Sequence, residues 1–428
     1  MEVDTLTKIT DPSWPEGLLN HFKDRLVSNE RLQRVCLEKG LSKFILSKPF
    51  TALKWRPRYL DDILKEKPAP RPAPVGGSKT LADVVEALIG ASYQDGGLTK
   101  ALKCISVFLG DSCNWHQEGV ARDILFAAAP SDVQLPSNLE PLEDLIKYKF
   151  KKKSLLIEAV THGSYATAMQ EKSYEQLEFL GDAILDYIVV TKMFQHDPPI
   201  PTGRLHMIKT AIVNGEFLSL VNLVNSIQRK DLEVRPDGEL VTKTTALPLW
   251  KFMRFNSSEM ANVMVETEEK FESMRRELVI ALWGDGHYPW ALLARLHPQK
   301  FYSDMFEALL GAVWVDSGSI EECTRVLETF QVMDYLEFVI KEDIHVQHPK
   351  EEISKLADRQ KMKYTTTLIE EPEPRWSCGV TIGERLVGEV EGSLNKVEAM
   401  TKAAENAIRL LTEEMNAVNQ QQDAMDAS

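Results

Sequence analysis

A chain of 428 residues, 43% hydrophobic and 27% charged, can build two or three globular domains with sizeable cores and is not a disordered or fibrous polymer. A formal net charge of -14 argues against a surface that is basic all round, the usual footprint of nucleic-acid binding, while leaving room for a local basic groove. No uninterrupted apolar run reaches the roughly 18 residues of a membrane span, and the first residues lack the apolar stretch of a signal peptide, so no membrane is expected as a partner and the expected location is intracellular, cytoplasmic or nuclear.

In chain order, the first landmarks are "DPSWPEG" from Asp11 and "HFKDRLVSNERL" from His21. The run "KPAPRPAPVGG", residues 67–77, reads as an extended loop because proline excludes both helix and sheet. A helix follows over Asp83 to Tyr93, ended by a glycine turn at Asp95 to Gly97, and "PSDVQLPSN" reads as a linker. From Ser173 to Gln195 there is no proline, and Leu177, Leu180, Ile184 and Ile188 step by three and four, which is helical spacing. A charged, turn-rich segment from about Asn225 to Lys270 precedes a second apolar helix over Asp304 to Val315, closed by a turn at Asp316 to Gly318. Beyond about Gln347 the pattern changes to a helix "KEEISKLADRQ", alternating strands "KYTTTLI", "RWSCGVTI" and "RLVGEVEG", and a closing helix from Lys396. The polar tail "NQQQDAMDAS" is expected to be disordered. Five cysteines, Cys36, Cys104, Cys113, Cys323 and Cys378, show no metal-ligand spacing and read as reduced, packed thiols.

The chain repeats itself. "KTLADVVEALIGASYQDGG" from Lys79 aligns without gaps on "KFYSDMFEALLGAVWVDSG" from Lys300, pairing Asp83 with Asp304, Glu86 with Glu307 and Gly90 with Gly311. The blocks at Asp11 and His21 likewise resemble "DPPIPTG" from Asp197 and "HMIKTAIVNGEFL" from His206, in the same order. Two long copies indicate two homologous domains, not a solenoid. The second copy carries an insertion at about 225–270. The first has no counterpart of "YEQLEFLGD": either the chain is a fragment of a longer protein, cut within the first copy, or its gene has lost that segment.

That stretch puts three carboxylates and a glycine into a run that otherwise reads as a buried helix. In "YEQLEFLGDAILDY", from Tyr174 to Tyr187, Glu175, Glu178 and Asp182 fall on one helical face amid leucines. A solvated acidic face is the ordinary reading of such a pattern. A second apolar helix with its own Asp304 and Glu307 could cross here, and burying several carboxylates without cations costs several kcal/mol per charge. A divalent ion reverses that penalty. An all-oxygen set without His or Cys suits Mg²⁺ or Mn²⁺, and Gly181 permits close backbone approach between the helices.

"YEQLEFLGDAILDY", with "IEAVTHGSYA" before it and "SDMFEALLGAVWVDSG" after it, resembles the motifs of the ribonuclease III family over about Glu140 to Val332. Two tandem copies followed by a helix-strand-helix module are similar to the C-terminal part of the Dicer-type members of that family. The resemblance implies a mainly α fold: two tandem all-helical ribonuclease III domains forming an intramolecular pseudo-dimer, then a small α-β-β-β-α double-stranded RNA-binding-like module. The corresponding boundaries are 1–128 for the incomplete first domain, 129–139 for the linker, 140–336 for the second domain, 347–416 for the module and 417–428 for the tail.

It further implies a Mg²⁺- or Mn²⁺-dependent endoribonuclease that cleaves double-stranded RNA in small-RNA production and leaves 5′-phosphate ends. Glu178, Asp182, Asp304 and Glu307 would be the catalytic and metal-binding carboxylates. Glu175 would be an accessory contact to RNA or to the metal's outer shell. Lys300, which recurs as Lys79 in the first copy, could face a phosphate, although a solvated surface lysine is the simpler reading; His162 and Asn214 read as packing or capping residues. Asp83 and Glu86 would form an incomplete first site, so nicking of one strand or poor cutting is expected. Lys396 and Lys402 are the candidate RNA contacts of the module, at a position where the family's lysine cluster is thinned, and docking of the module on the nuclease is the competing expectation. Partners would be double-stranded RNA, RNA-silencing proteins and a second copy of the chain. Two alternatives stand beside this reading: a catalytically weak or inactive double-stranded RNA-binding scaffold, and a Mg²⁺ enzyme on prenyl diphosphates. The latter expects a DDxxD-like run that the acidic motifs lack; Asp61 begins only an isolated "DD".

Overall fold

The computed structural model describes residues 16–45, 78–110, 119–169, 172–234, 239–284, 286–357, 361–370 and 372–426. Residues 11–15 of the Asp11 block, the proline-rich segment 67–77, the "DD" at Asp61 and Cys113 lie outside the described residues. The chain forms two compact units, Met1–Ala129 and Pro130–Ser428.

In the first unit, α1 (Glu16–Val27) leads to α2 (Asn29–Glu38), whose N-terminus is capped by the Ser28 hydroxyl accepting from Arg31 N. The long α3 (Ser78–Leu109) breaks at Gly96 and Gly97, where φ of +66° at Gly97 requires glycine, as the turn at Asp95 to Gly97 anticipates. Leu32 and Cys36 of α2 pack on Leu81, Ala82, Val85 and Leu102 of α3. A short α4 (Val120–Ala128) closes the unit.

The second unit opens with α5 (Glu140–Leu145), α6 (Lys153–Ala159), α7 (Gly163–Met169), α8 (Glu175–Phe194), α9 (Thr202–Ile212) and α10 (Gly215–Val224). The segment that reads as charged and turn-rich is a hairpin and a helix. Strands β1 (Ser226–Val234) and β2 (Leu240–Pro248) pair antiparallel from Ser226 opposite Pro248 to Val234 opposite Leu240. The following α11 (Ser258–Leu282) buries Met260, Met264, Thr267, Phe271, Met274 and Leu278, a stripe at steps of four and three. Its charges face outward, and their number hides that stripe in the sequence. Next come α12 (Trp290–Leu296), α13 (Phe301–Ser317), α14 (Ile320–Thr329) and α15 (Val332–Lys341). Helix α13 is buried on nearly every side, with Tyr302, Met305, Phe306, Ala308, Leu309, Ala312 and Val313 at most 1% exposed. A helix apolar all round belongs in the centre of a domain, and α6, α8, α10 and α14 pack around it.

The C-terminal module consists of α16 (Pro349–Leu356), β3 (Met362–Ile369), β4 (Arg375–Ile382), β5 (Arg385–Ser393) and α17 (Lys396–Asp426), with an antiparallel sheet ordered β3-β4-β5. Ala399, Ala403, Ala404 and Ala407 of α17 bury against Cys378, Val380 and Val387 of the sheet and Ile353 of α16. The helix comes so close that a Cβ on Gly388 would lie 2.3 Å from Ala403 O. The tail expected to be disordered from 417 instead continues α17 to Asp426. No Gly or Pro interrupts that stretch, and its Ala, Gln and Met residues are good helix formers.

Among the described residues no single helix is long and apolar enough to cross a membrane; the bent pair α9 and α10 is apolar because its residues Ile208, Ala211, Ile212, Phe217 and Leu218 are core.

Asp316, read from sequence as a turn residue, fastens the N-terminal edge of this unit. It is fully buried and accepts from Tyr148 Oη at 2.6 Å and from the backbone N–H groups of Lys151 and Lys152 at 2.9 Å each. Asp316→Ala would strand three donors, and we expect a loss of about 3 kcal/mol in unfolding free energy. A thermal or denaturant melt reads this directly; unchanged stability would mean that the segment before α6 is held by other contacts.

Candidate metal centre

Two glycines set the geometry. Helices α8 and α13 cross back to back at Gly181 and Gly311. A Cβ built on Gly181 would fall 1.7 Å from Glu307 O, and one on Gly311 would fall 2.2 Å from Leu177 O. Only hydrogen fits at either position, so the backbones touch there and the side chains flanking the crossing converge. Gly90, the repeat counterpart of Gly311, has nothing within 4 Å of its notional Cβ.

The residues that converge are acids. Glu178 on α8 and Asp304 and Glu307 on α13 bring carboxylate oxygens within 4.8 Å of one another. Glu178 and Asp304 are only 4% and 7% exposed, and Glu307 keeps somewhat more surface. Burial, then the charges of Asp182, Asp304 and Glu178, push the Glu307 carboxyl well above the ordinary glutamate range, against an opposing pull from Lys300. This environment asks for a cation. Lys300, immediately before α13, partly provides one: its Nζ lies 2.5 Å from Glu178 Oε1 and 2.9 Å from Asp304 Oδ1. Burial alone would lower the lysine's pKa, but its bonds to Glu178 and Asp304 prevail and raise it. Lys300, a candidate phosphate contact, turns its ammonium onto the acids in this structure while its side chain stays 67% exposed. The spacing Lys300 to Asp304, i to i+4, was the available signal.

Asp182, one turn beyond Glu178, does not join the close group of three, although its charge acts on Glu307. Glu175 is also outside it, with Oε1 3.3 Å from the position a Cβ on Gly163 would take. His162 packs edge-on to Tyr174 and Phe301 and meets Ser164 Oγ at 2.9 Å, and burial lowers its pKa. Asn214 caps α10, accepting from Phe217 N and donating to Ala211 O and Tyr288 Oη. In the first unit Asp83 and Glu86 are both exposed and belong to no acidic group able to hold a metal, among the described residues. In the module Lys396 is exposed, whereas Lys402 Nζ lies 2.6 Å from Glu398 Oε1. Sequence reading passed over Glu398, which is 1% exposed, and its partner Arg295, although the Glu398 to Lys402 spacing is again i to i+4.

The three clustered oxygens are hard donors at a spacing a single ion could bridge, without His or Cys, and they fit Mg²⁺ or Mn²⁺ better than softer metals.

Comparison with known proteins gives a consistent family. A ribonuclease III domain profile matches residues 3–97 and 175–318, and a profile of the double-stranded RNA-binding domain of Dicer-like protein 2 matches 342–427. The chain is 41% identical over 421 residues to Dicer-like protein 2 of Cryphonectria parasitica, which covers 93% of this chain and 29% of that protein. It is 40% identical over 427 residues to Dicer-like protein 2 of Pyricularia oryzae, covering 94% of this chain and 28% of that protein. The chain thus spans less than a third of the length of these relatives. Among solved structures, the nuclease domain of ribonuclease III from Campylobacter jejuni matches 45% of this chain and 96% of its own at 25% identity and a TM-score of 0.30. Dicer from Pichia stipitis matches 61% of this chain and 95% of its own at 17% identity and a TM-score of 0.26.

The crossing makes a prediction independent of catalysis. Gly181→Ala must push α8 and α13 apart, and we expect a destabilisation of about 3 kcal/mol, the upper end for overpacking, together with loss of Mn²⁺ binding measured by calorimetry. An alanine variant that melts and binds Mn²⁺ like the wild type would show that the helices do not touch here.

Proposed function

The chain belongs to the ribonuclease III family, and from that premise we propose that it is the C-terminal, catalytic part of a Dicer-type endoribonuclease that hydrolyses phosphodiester bonds of double-stranded RNA. The observation that carries this reading is the convergence of Glu178, Asp304 and Glu307 at a glycine-to-glycine helix crossing.

In this reading Glu178, Asp304 and Glu307 hold Mg²⁺ or Mn²⁺, and Asp182 adds negative charge one turn away. The ion supplies activation of water and compensation of charge at the phosphoryl group. The chain's own part is to pre-position the oxygens. Crossing backbones leave α8 and α13 no freedom to slide, so the carboxylates stay gathered despite their repulsion. Lys300 balances them in the metal-free chain. Its side chain is 67% exposed, so it can swing from Glu178 toward an RNA phosphate when a divalent ion takes over its role. Glu175, at the start of α8, is suited to an outer contact. Asp83 and Glu86 are exposed and join no acidic group among the described residues, so the reading places one centre, in the second unit, and products with 5′-phosphate ends follow from the family's chemistry. A duplex-binding scaffold without catalysis is the rival.

The test is cleavage of end-labelled long duplex RNA with Mg²⁺, resolved on native and denaturing gels. Wild type should nick one strand, and Asp304→Ala or Glu307→Ala should reduce the rate by roughly a hundredfold or more, since even indirect supports of a metal site are worth ten- to a hundredfold. Double-strand cuts would point to two chains pairing; duplex binding without any cleavage would favour the scaffold.

A separate readout concerns the metal. Saturating Mn²⁺ should raise the wild-type thermal midpoint, by about 2.7 kcal/mol of added stability at a hundred times Kd. Glu307→Gln should be more stable than wild type without metal, because one buried repulsive acid is gone, and should respond little to Mn²⁺. Equal Mn²⁺ responses in the two proteins would remove Glu307 from the ligand set.

A further inference from the structure

The start of α17 is where the family resemblance expects lysines for RNA phosphates, and in this chain it faces the nuclease part of its own unit. Glu398 sits there almost wholly buried. One of its oxygens accepts from Arg295 Nε of α12 at 2.8 Å and from Lys402 Nζ at 2.6 Å, and the other from Leu394 N at 2.8 Å. Although burial opposes its charge, these donors prevail and hold the carboxyl below the ordinary glutamate range. Beside it, Asn395 accepts from Glu398 N and donates to the last carbonyls of α12, Ala294 O at 2.8 Å and Arg295 O at 3.1 Å. One short stretch therefore caps two helices of different modules at once.

A second contact lies at the other end of the module, where the chain leaves the nuclease. His345 N donates to Gly286 O at 2.7 Å, Tyr288 N donates to His345 O at 3.0 Å, and Trp290 Nε1 donates to Val346 O at 3.2 Å. Arg204 holds Ile344 O at 3.2 Å and Asp343 at 2.7 Å. This connecting segment runs as a strap bonded to the nuclease and not as a free tether. Trp290 and Arg295 both belong to α12, so one helix receives both anchors, and α11 from the insertion backs it through Glu277, 3.3 Å from Arg295 Nη1.

We propose that the C-terminal module is a fixed part of the nuclease unit, clamped at its connecting strap and at the start of α17, and that this helix start binds α12 in place of RNA phosphates. At the first turn of α17, Asn395 is committed to the carbonyls of α12, and Lys402 is engaged by the buried Glu398 carboxylate. Duplex affinity then comes from other surfaces of the chain. The RNA part of this inference rests on the function proposed above, and the docking part does not.

Two measurements on the full chain decide it. Hydrogen exchange should show slow amides at Leu394 and Glu398 in wild type, accelerated at least tenfold in Arg295→Ala, restored toward wild type in Arg295→Lys, and unchanged in α13 throughout. Fast exchange at these amides already in wild type would overturn the clamp. For RNA, Lys396→Ala should bind a long duplex within twofold of wild type with the same salt slope. A loss of several-fold with a slope lower by about one would return this helix start to RNA recognition. If wild type binds no duplex, the proposed function falls and the exchange data still judge the clamp.

Discussion

The contact between Gly181 and Gly311 is the constraint on which the second unit depends. Replacing either hydrogen by a methyl group would put carbon inside van der Waals distance of a backbone carbonyl on the facing helix. With the backbones in contact, α13 becomes the central rod of the unit, and its side chains fill the space left by α6, α8, α10 and α14. The acids take their places from the same contact. Glu178 lies three residues before Gly181 and Glu307 four before Gly311, so each is about one turn from the crossing point and they meet across it.

Gathering acids in this way is unfavourable by itself. Their repulsion is visible in the Glu307 carboxyl, which burial and three neighbouring carboxylates push upward, and in Lys300, drawn onto Glu178 and Asp304. The apolar packing of the crossing offsets this electrostatic strain, and a cation relieves it. Fold stability and site chemistry thus pull in opposite directions at one place, as a pre-organised metal site requires. In the first unit a Cβ on Gly90 would meet nothing within 4 Å and Asp83 and Glu86 are exposed, so among the described residues no such gathering of acids is found.

The insertion and the C-terminal module extend the same unit. Helix α11 lays its Met and Phe stripe inward and supports α12, and α12 in turn receives Arg295–Glu398, Asn395 and the strap through Trp290. Charge used in this docking is withdrawn from solvent. The acidic composition of the whole chain is therefore a poor guide to which surfaces remain open to a polyanion.

Much of this was legible in the sequence because it is local or periodic. The helical stepping of Leu177, Leu180, Ile184 and Ile188, the glycine turn at Gly97, the strand alternation after Lys363 and the paired acids of the two copies are all short-range patterns, and the ribonuclease III resemblance rests on them. The seam of α11 was hidden by its charges, and the continuation of α17 to Asp426 by the polarity of residues whose helix propensity is high. Which acids meet, by contrast, was decided by tertiary structure: Asp182 and Glu178 share a helix face, yet only Glu178 joins Asp304 and Glu307. The inward turn of Lys300, the burial of Asp316 against Tyr148 and the pairing of Glu398 with Arg295 also join residues distant in sequence or facing a partner element. Sequence determines the period and chemistry of each element, because these depend on neighbours along the chain; whether a charge ends in solvent, on a metal or on another helix depends on what packs across from it, and only the folded structure supplies that.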